Sequence, residues 1–151
     1  MKKLIIIILL GLLGCGPESS EEKKYDYSVV NNSGYIVEVI PYINGVKETS
    51  NKVTIQNGGN FNKKYTDYAP YSGGLSMSGI FKSNTIGNVT HLEFVFKNSK
   101  KIIYEECSVT SNCNSLPRNI FRPEFNNEQT EVYTITPEDS QNAQDCGGNC
   151  N

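Results

Sequence analysis

Four cysteines, Cys107, Cys113, Cys146 and Cys150, carry the plainest chemistry in this sequence. An even set of thiols at C-x5-C and C-x3-C spacing reads as two disulfides formed in an oxidising compartment, with three connectivities open. A four-thiolate zinc site is the competing chemistry, but neither spacing is the tight C-x2-C of paired zinc knuckles. Gly147 and Gly148 let the backbone turn sharply, which favours local pairing, Cys107 with Cys113 and Cys146 with Cys150. Crossed pairing stays open. No metal is expected.

Catalytic chemistry is harder to assemble. The sequence has one histidine, His91, so every scheme that needs two imidazoles is excluded. There is no Gly-x-Ser-x-Gly elbow, no His-Glu-x-x-His pair and no glycine loop leading into a helix to hold phosphate. The doublets Glu21-Glu22 and Glu105-Glu106 do not make facing carboxylates, because adjacent strand residues point to opposite faces. The chain is expected to be no enzyme and to take no cofactor.

One loop has the residues of a binding surface. Tyr65, Tyr68 and Tyr71 recur every third position, with Asp67 between them and Pro70, Gly73 and Gly74 close by. Packed inward, these rings lid the core, which is the ordinary fate of such tyrosines. Turned outward, Tyr65, Asp67, Tyr68 and Tyr71 form a candidate ligand-binding set, the rings offering flat amphipathic area and the carboxylate accepting a hydroxyl. The two fates are separable, since binding requires Tyr68 and Tyr71 to be exposed.

The N-terminus is an address. Lys2 and Lys3 precede an apolar run, Leu4 to Leu13, broken only by Gly11. Ten helical residues span about half of a bilayer core, so this is a signal peptide over residues 1–14 and not a membrane span. Leu12-Leu13-Gly14-Cys15 resembles the lipobox of bacterial lipoproteins. That resemblance implies cleavage before Cys15 and lipid attachment at Cys15, two or three acyl chains holding the protein firmly on a membrane. Residues 15–24, rich in Ser, Glu and Lys, then form a flexible tether. Gly16 departs from the inner-membrane retention signal of enterobacterial lipoproteins, and Glu18, Glu21 and Glu22 resemble the acidic export signal of surface lipoproteins in Bacteroidota. The implied location is the cell envelope, outer membrane, facing periplasm or surface.

Cleavage would leave 137 residues with 12 basic and 16 acidic side chains, a length for one domain and a charge with no footprint for nucleic acid. Short β-branched and aromatic runs separated by turn residues fill residues 25–136: Tyr27 to Val30, Tyr35 to Ile40, Lys52 to Gln56, Phe61 to Tyr65, Leu75 to Phe81, Val89 to Phe96, Ile102 to Tyr104 and Glu131 to Ile135. Asn44-Gly45 predicts a hairpin. In the 89–96 strand Leu92, Phe94 and Phe96 face the core, and His91, Glu93 and Val95 face the other way. Thr136-Pro137-Glu138-Asp139 starts a short helix, reaching to about Gln144, within the 137–151 tail. These elements predict an all-β antiparallel sandwich of Ig-like, Greek-key type with a short C-terminal helix, the alternative being a small lipocalin-like barrel.

The stretch Val132 to Ala143 resembles a Tyr-x-Ile-Thr-x-Glu-Asp box near the C-terminus of small lipoproteins of the Bacteroidota type. That family implies a compartment and no activity. The expected function is therefore a membrane-anchored, non-catalytic module that binds a glycan or an envelope protein. The alternative is a structural or accessory subunit of an outer-membrane assembly with no ligand of its own.

Overall fold

A computed structural model describes residues 21–83, 86–108 and 115–150. Cys15, Cys113 and residues 1–14, expected to be a signal peptide, lie outside the described residues. The chain runs β1 (Glu22–Asn31), β2 (Val37–Ile43), β3 (Val46–Lys47), β4 (Val53–Ile55), β5 (Asn60–Tyr68), β6 (Val89–Phe96), β7 (Lys100–Glu105), β8 (Thr130–Ile135), α1 (Pro137–Asn142) and β9 (Gln144–Asp145). One sheet has the order β5-β1-β8; the other has the order β3-β2-β6-β7-β9, with β4 also on β2. The fold is all-β and sandwich-like with a short C-terminal helix, one of its sheets curled into half a barrel. The strands divide between two sheets and do not close into a single barrel.

Turn chemistry sets the hairpins. Asn44 and Gly45 take φ of 51° and 83° between β2 and β3, and Lys97 and Asn98 take 49° and 54° between β6 and β7. Consecutive positive φ values match the right-handed twist of the strands they join. Between β1 and β2, buried Asn31 donates to the carbonyls of Tyr35 and Ile55 while its own oxygen accepts from Ser33.

Strand alternation builds the core between the sheets. Tyr27 and Val29 from β1, and Tyr133 and Ile135 from β8, meet Val37 and Val39 from β2, Leu92, Phe94 and Phe96 from β6, and Tyr104 from β7. Phe94 makes edge contacts with Tyr104 and Tyr133 at centroid distances of 5.3 and 6.1 Å. The outward partners on β6 are also covered: Glu93 and Val95 are buried. Val95 packs with Ile40 and Cys150 in a second small cluster that Cys146 flanks, so the C-terminal tail closes the far face of this sheet.

The structure departs from the sequence reading at several places. β1 and β8 pair in parallel, so the sandwich is not purely antiparallel. Residues 22–24 belong to β1, paired with Tyr68, Asp67 and Thr66, and so extend a strand instead of a tether. Leu75 to Phe81 is no strand: Ser76 Oγ accepts from the Gly79 N–H at 3.0 Å, and a 3-10 turn follows over Gly79–Phe81. A serine hydroxyl there competes with sheet pairing for the backbone, while Met77, Ile80 and Phe81 still enter the core. The helix stops at Asn142, and Gln144 and Asp145 return to pair with Lys101 and Lys100.

Candidate functional site

β1 and β5 carry the tyrosine loop. Their antiparallel register sets Tyr25 opposite Tyr65 and Lys23 opposite Asp67, while Glu22 stands opposite Tyr68. Alternation therefore puts Tyr65 and Asp67 on the core-side face of β5 and Tyr68 on its outer face. Tyr65, Tyr68 and Tyr71 are 39%, 54% and 39% exposed, so none of the three is a core lid. Tyr65 lies against half-buried Tyr25 at 6.3 Å and shares a 3.2 Å contact between its hydroxyl and Ser72 Oγ. Tyr71 donates to the Glu21 carbonyl at 3.0 Å, and the Lys23 ammonium sits 4.0 Å from its ring centroid. Tyr65 and Tyr71 are thus tied to neighbouring elements through the loop, whereas Tyr68 stands apart from them.

Asp67 holds the loop's shape. Only 3% exposed, it accepts from the Ser72 N–H at 3.0 Å, from the Ser72 hydroxyl at 3.0 Å and from the Gly74 N–H at 3.1 Å. Burial alone raises a carboxyl pKa, but these bonds and one from the Tyr68 backbone outweigh it and hold Asp67 below the ordinary carboxylate range. Its oxygens are occupied by the loop's own donors, so Asp67 positions the rings and does not present a free acceptor. Gly74 completes the fit. At φ +76°, an added Cβ there would lie 2.4 Å from Tyr25 Cζ, so only glycine lets the loop rest on that ring.

Other chemistry-bearing groups are bound up in structure. Glu93 accepts from Tyr42 Oη at 2.7 Å and from Lys47 Nζ at 3.0 Å, with Lys101 at 3.9 Å. Burial, then the hydrogen bond to Glu93, raises the Tyr42 pKa. His91 is partly buried against the Tyr42 ring, with Glu105 3.9 Å away. The sequence reading put Glu93 on the correct face but could not foresee its burial, because three of its partners come from other strands. Asp139 is a second buried carboxylate, accepting from Tyr104 Oη at 2.7 Å and Arg118 Nε at 2.9 Å. Cys146 and Cys150 form a disulfide. Cys107 is also disulfide-bonded; Cys113 and Cys15, where the sequence leads one to expect the lipid, fall outside the described residues. Among the described residues no group of three or more His, Cys, Asp or Glu side chains could hold a metal ion.

Beside the tyrosine loop lies an open cleft of about 560 Å³, and Ser72 and Gly74 line it. Ser72 thus joins the exposed rings to a concave surface. Comparison with protein-family models, with curated proteins and with solved structures finds no match to this chain.

Proposed function

We propose that this chain is a lipid-anchored, non-catalytic binding module of the bacterial cell envelope, and that its ligand is a glycan. Cys15, in a sequence that resembles a lipobox, supplies the anchor, and the outer membrane is the proposed location. The observation that carries the ligand reading is the exposure of Tyr65 and Tyr71 on a loop that Asp67 has already shaped. Tyrosine offers a rigid ring with few torsions to freeze, and a preformed loop loses little further freedom on binding. Ring faces flanked by hydroxyls suit a sugar, which presents C–H bonds on one side and hydroxyls around its edge.

The test is retention of the chain on immobilised polysaccharides, comparing the wild type with a Tyr65→Ala/Tyr71→Ala variant. Binding should be lost while stability falls by only about 1–2 kcal/mol, for the contacts of Tyr65 with Tyr25 and of Tyr71 with the Glu21 carbonyl, and less than for a core aromatic. A variant that binds as the wild type does refutes the reading. Anchoring has its own arm: Cys15→Ala should move the chain from the membrane to the soluble fraction, and undiminished fatty-acid labelling of that variant would exclude Cys15 as the attachment point.

A further inference from the structure

Polar side chains dominate the described lining of the cleft beside the tyrosine loop. Ser72, Ser76 and Ser78 contribute hydroxyls, Asn88 an amide, Lys82 an ammonium and Glu106 a carboxylate. Among the described residues, Leu75 and Val89 are the apolar side chains of its wall. Its volume, about 560 Å³, is in the range of small-molecule sites, which usually have apolar walls with a few polar groups. Here the balance is reversed, so the wall suits a ligand that carries hydrogen-bonding groups around its whole edge.

Two of these polar groups are uncommitted. Glu106 uses its backbone N–H on the Thr90 carbonyl, and Asn88 uses its own on Asn44 Oδ1. Among the described residues, the side chains of both have no hydrogen-bond or ion-pair partner. Lys82, in contrast, already donates to the Gly87 carbonyl. A free carboxylate accepts two O–H donors, and a free amide both donates and accepts. Together they match vicinal hydroxyls, each of which is a donor and an acceptor at once.

Charge narrows the class further. Among the described lining residues the Lys82 ammonium is balanced by the Glu106 carboxylate, so the wall has no net positive charge to draw a sulfated or uronic ligand. We infer that the cleft is the primary subsite of this module and that it takes one ring of a neutral saccharide through adjacent hydroxyls, with Asn88 and Glu106 as the recognition pair. The inference rests on the glycan reading above and adds the place and the sugar class. Ser72, in contact with the Tyr65 hydroxyl, marks where a longer chain would leave the cleft for the exposed rings.

The experiment is affinity electrophoresis of the full chain in gels carrying mannan, dextran or chondroitin sulfate. The wild type should be retarded by a neutral polysaccharide and not by the sulfated one. Glu106→Ala and Asn88→Ala should each weaken retardation about tenfold, the size of one lost hydrogen bond to a charged or well-placed group. Their melting temperatures should match the wild type, since neither side chain has a partner among the described residues. If both variants are retarded like the wild type while Tyr65→Ala/Tyr71→Ala is not, the cleft assignment falls and the aromatic site stands. Preference for chondroitin sulfate overturns the neutral class. Retardation by none of the three refutes the glycan reading itself, and this inference with it.

Discussion

At the scale of single residues, one carboxylate decides how the candidate site is presented. Asp67 was legible as a polar residue among tyrosines, but its part was not. Whether its oxygens face a ligand or the loop depends on where Ser72 and Gly74 return, five and seven residues later, and local sequence does not specify that. The sequence reading grouped Tyr65, Tyr68 and Tyr71 as one binding set, yet Tyr68 ends a strand whose alternation turns it to the side opposite Tyr65. The bonds to Asp67 have a consequence in acid. A carboxyl held below its unfolded value contributes stability that is complete above that value, about pH 4, and is lost as pH falls through the lower folded value. The loop should therefore keep its shape from neutral pH down to about pH 4 and open only below it. Amide chemical shifts of Ser72 and Gly74 followed through an acid titration would show this. Asp67→Asn should remove the dependence, and a transition above the ordinary carboxylate value would contradict the arrangement.

At the scale of elements, the strongest patterns were read correctly and the failures share a cause. β6 was legible because Leu92, Phe94 and Phe96 alternate in a stretch without a turn-forming residue, whereas the irregularity that brings Val89 into the same core was not. Asn44-Gly45 marked its hairpin for the same local reason. The sequence reading ended a strand at Ile40, just before Pro41. In the fold β2 runs through it, since Pro41 stands between the stretch paired with β4 and the stretch paired with β3, where a missing N–H is tolerated. The parallel pairing of β1 with β8 joins residues about a hundred positions apart, and nothing in either strand announces its partner. The helix was legible from Thr136-Pro137, and Asp139 does reach back to the Thr136 N–H at 2.7 Å. What was not visible is that the same carboxylate also binds Tyr104 on β7 and Arg118, so that it fastens the helix to the sheet. Burial and then the nearby charges raise the Tyr104 pKa, so this phenol stays protonated as a donor. Asp139→Ala strips a buried acceptor from both partners and should cost about 3 kcal/mol in denaturant unfolding. Asp139→Asn, which keeps an oxygen for one of them, should lose less. Equal stability of the alanine variant and the wild type would show that the helix is not held this way.

At the scale of the whole molecule, the centre of the larger sheet is buried on both faces, with Ile40, Glu93 and Val95 covered on the side away from the sheet formed by β5, β1 and β8. The second cover is the C-terminal tail. Its backbone continues the sheet through Gln144 and Asp145, then Cys146 N–H bonds the Ser99 carbonyl at 2.9 Å. The Asn98 side chain grips the tail from the hairpin turn, donating to the Gly148 carbonyl at 2.9 Å and accepting from the Cys150 N–H at 3.2 Å. The disulfide closes this five-residue ring over Ile40 and Val95. For so short a loop, the entropy removed from the unfolded chain corresponds to about 2 kcal/mol. A Cys146→Ser/Cys150→Ser variant should therefore unfold at lower denaturant by about that amount, and still cooperatively, because the core between the sheets is untouched. Its second signature is local. With the ring open, the amides of Lys100 and Lys101 should exchange faster while those of β6 keep their protection, since the tail pairs with the first and not with the second. If instead the variant loses protection throughout both sheets, the tail is part of the cooperative core and not a cover laid upon it. Unchanged stability together with unchanged exchange would mean that backbone pairing and Asn98 alone hold the tail in place.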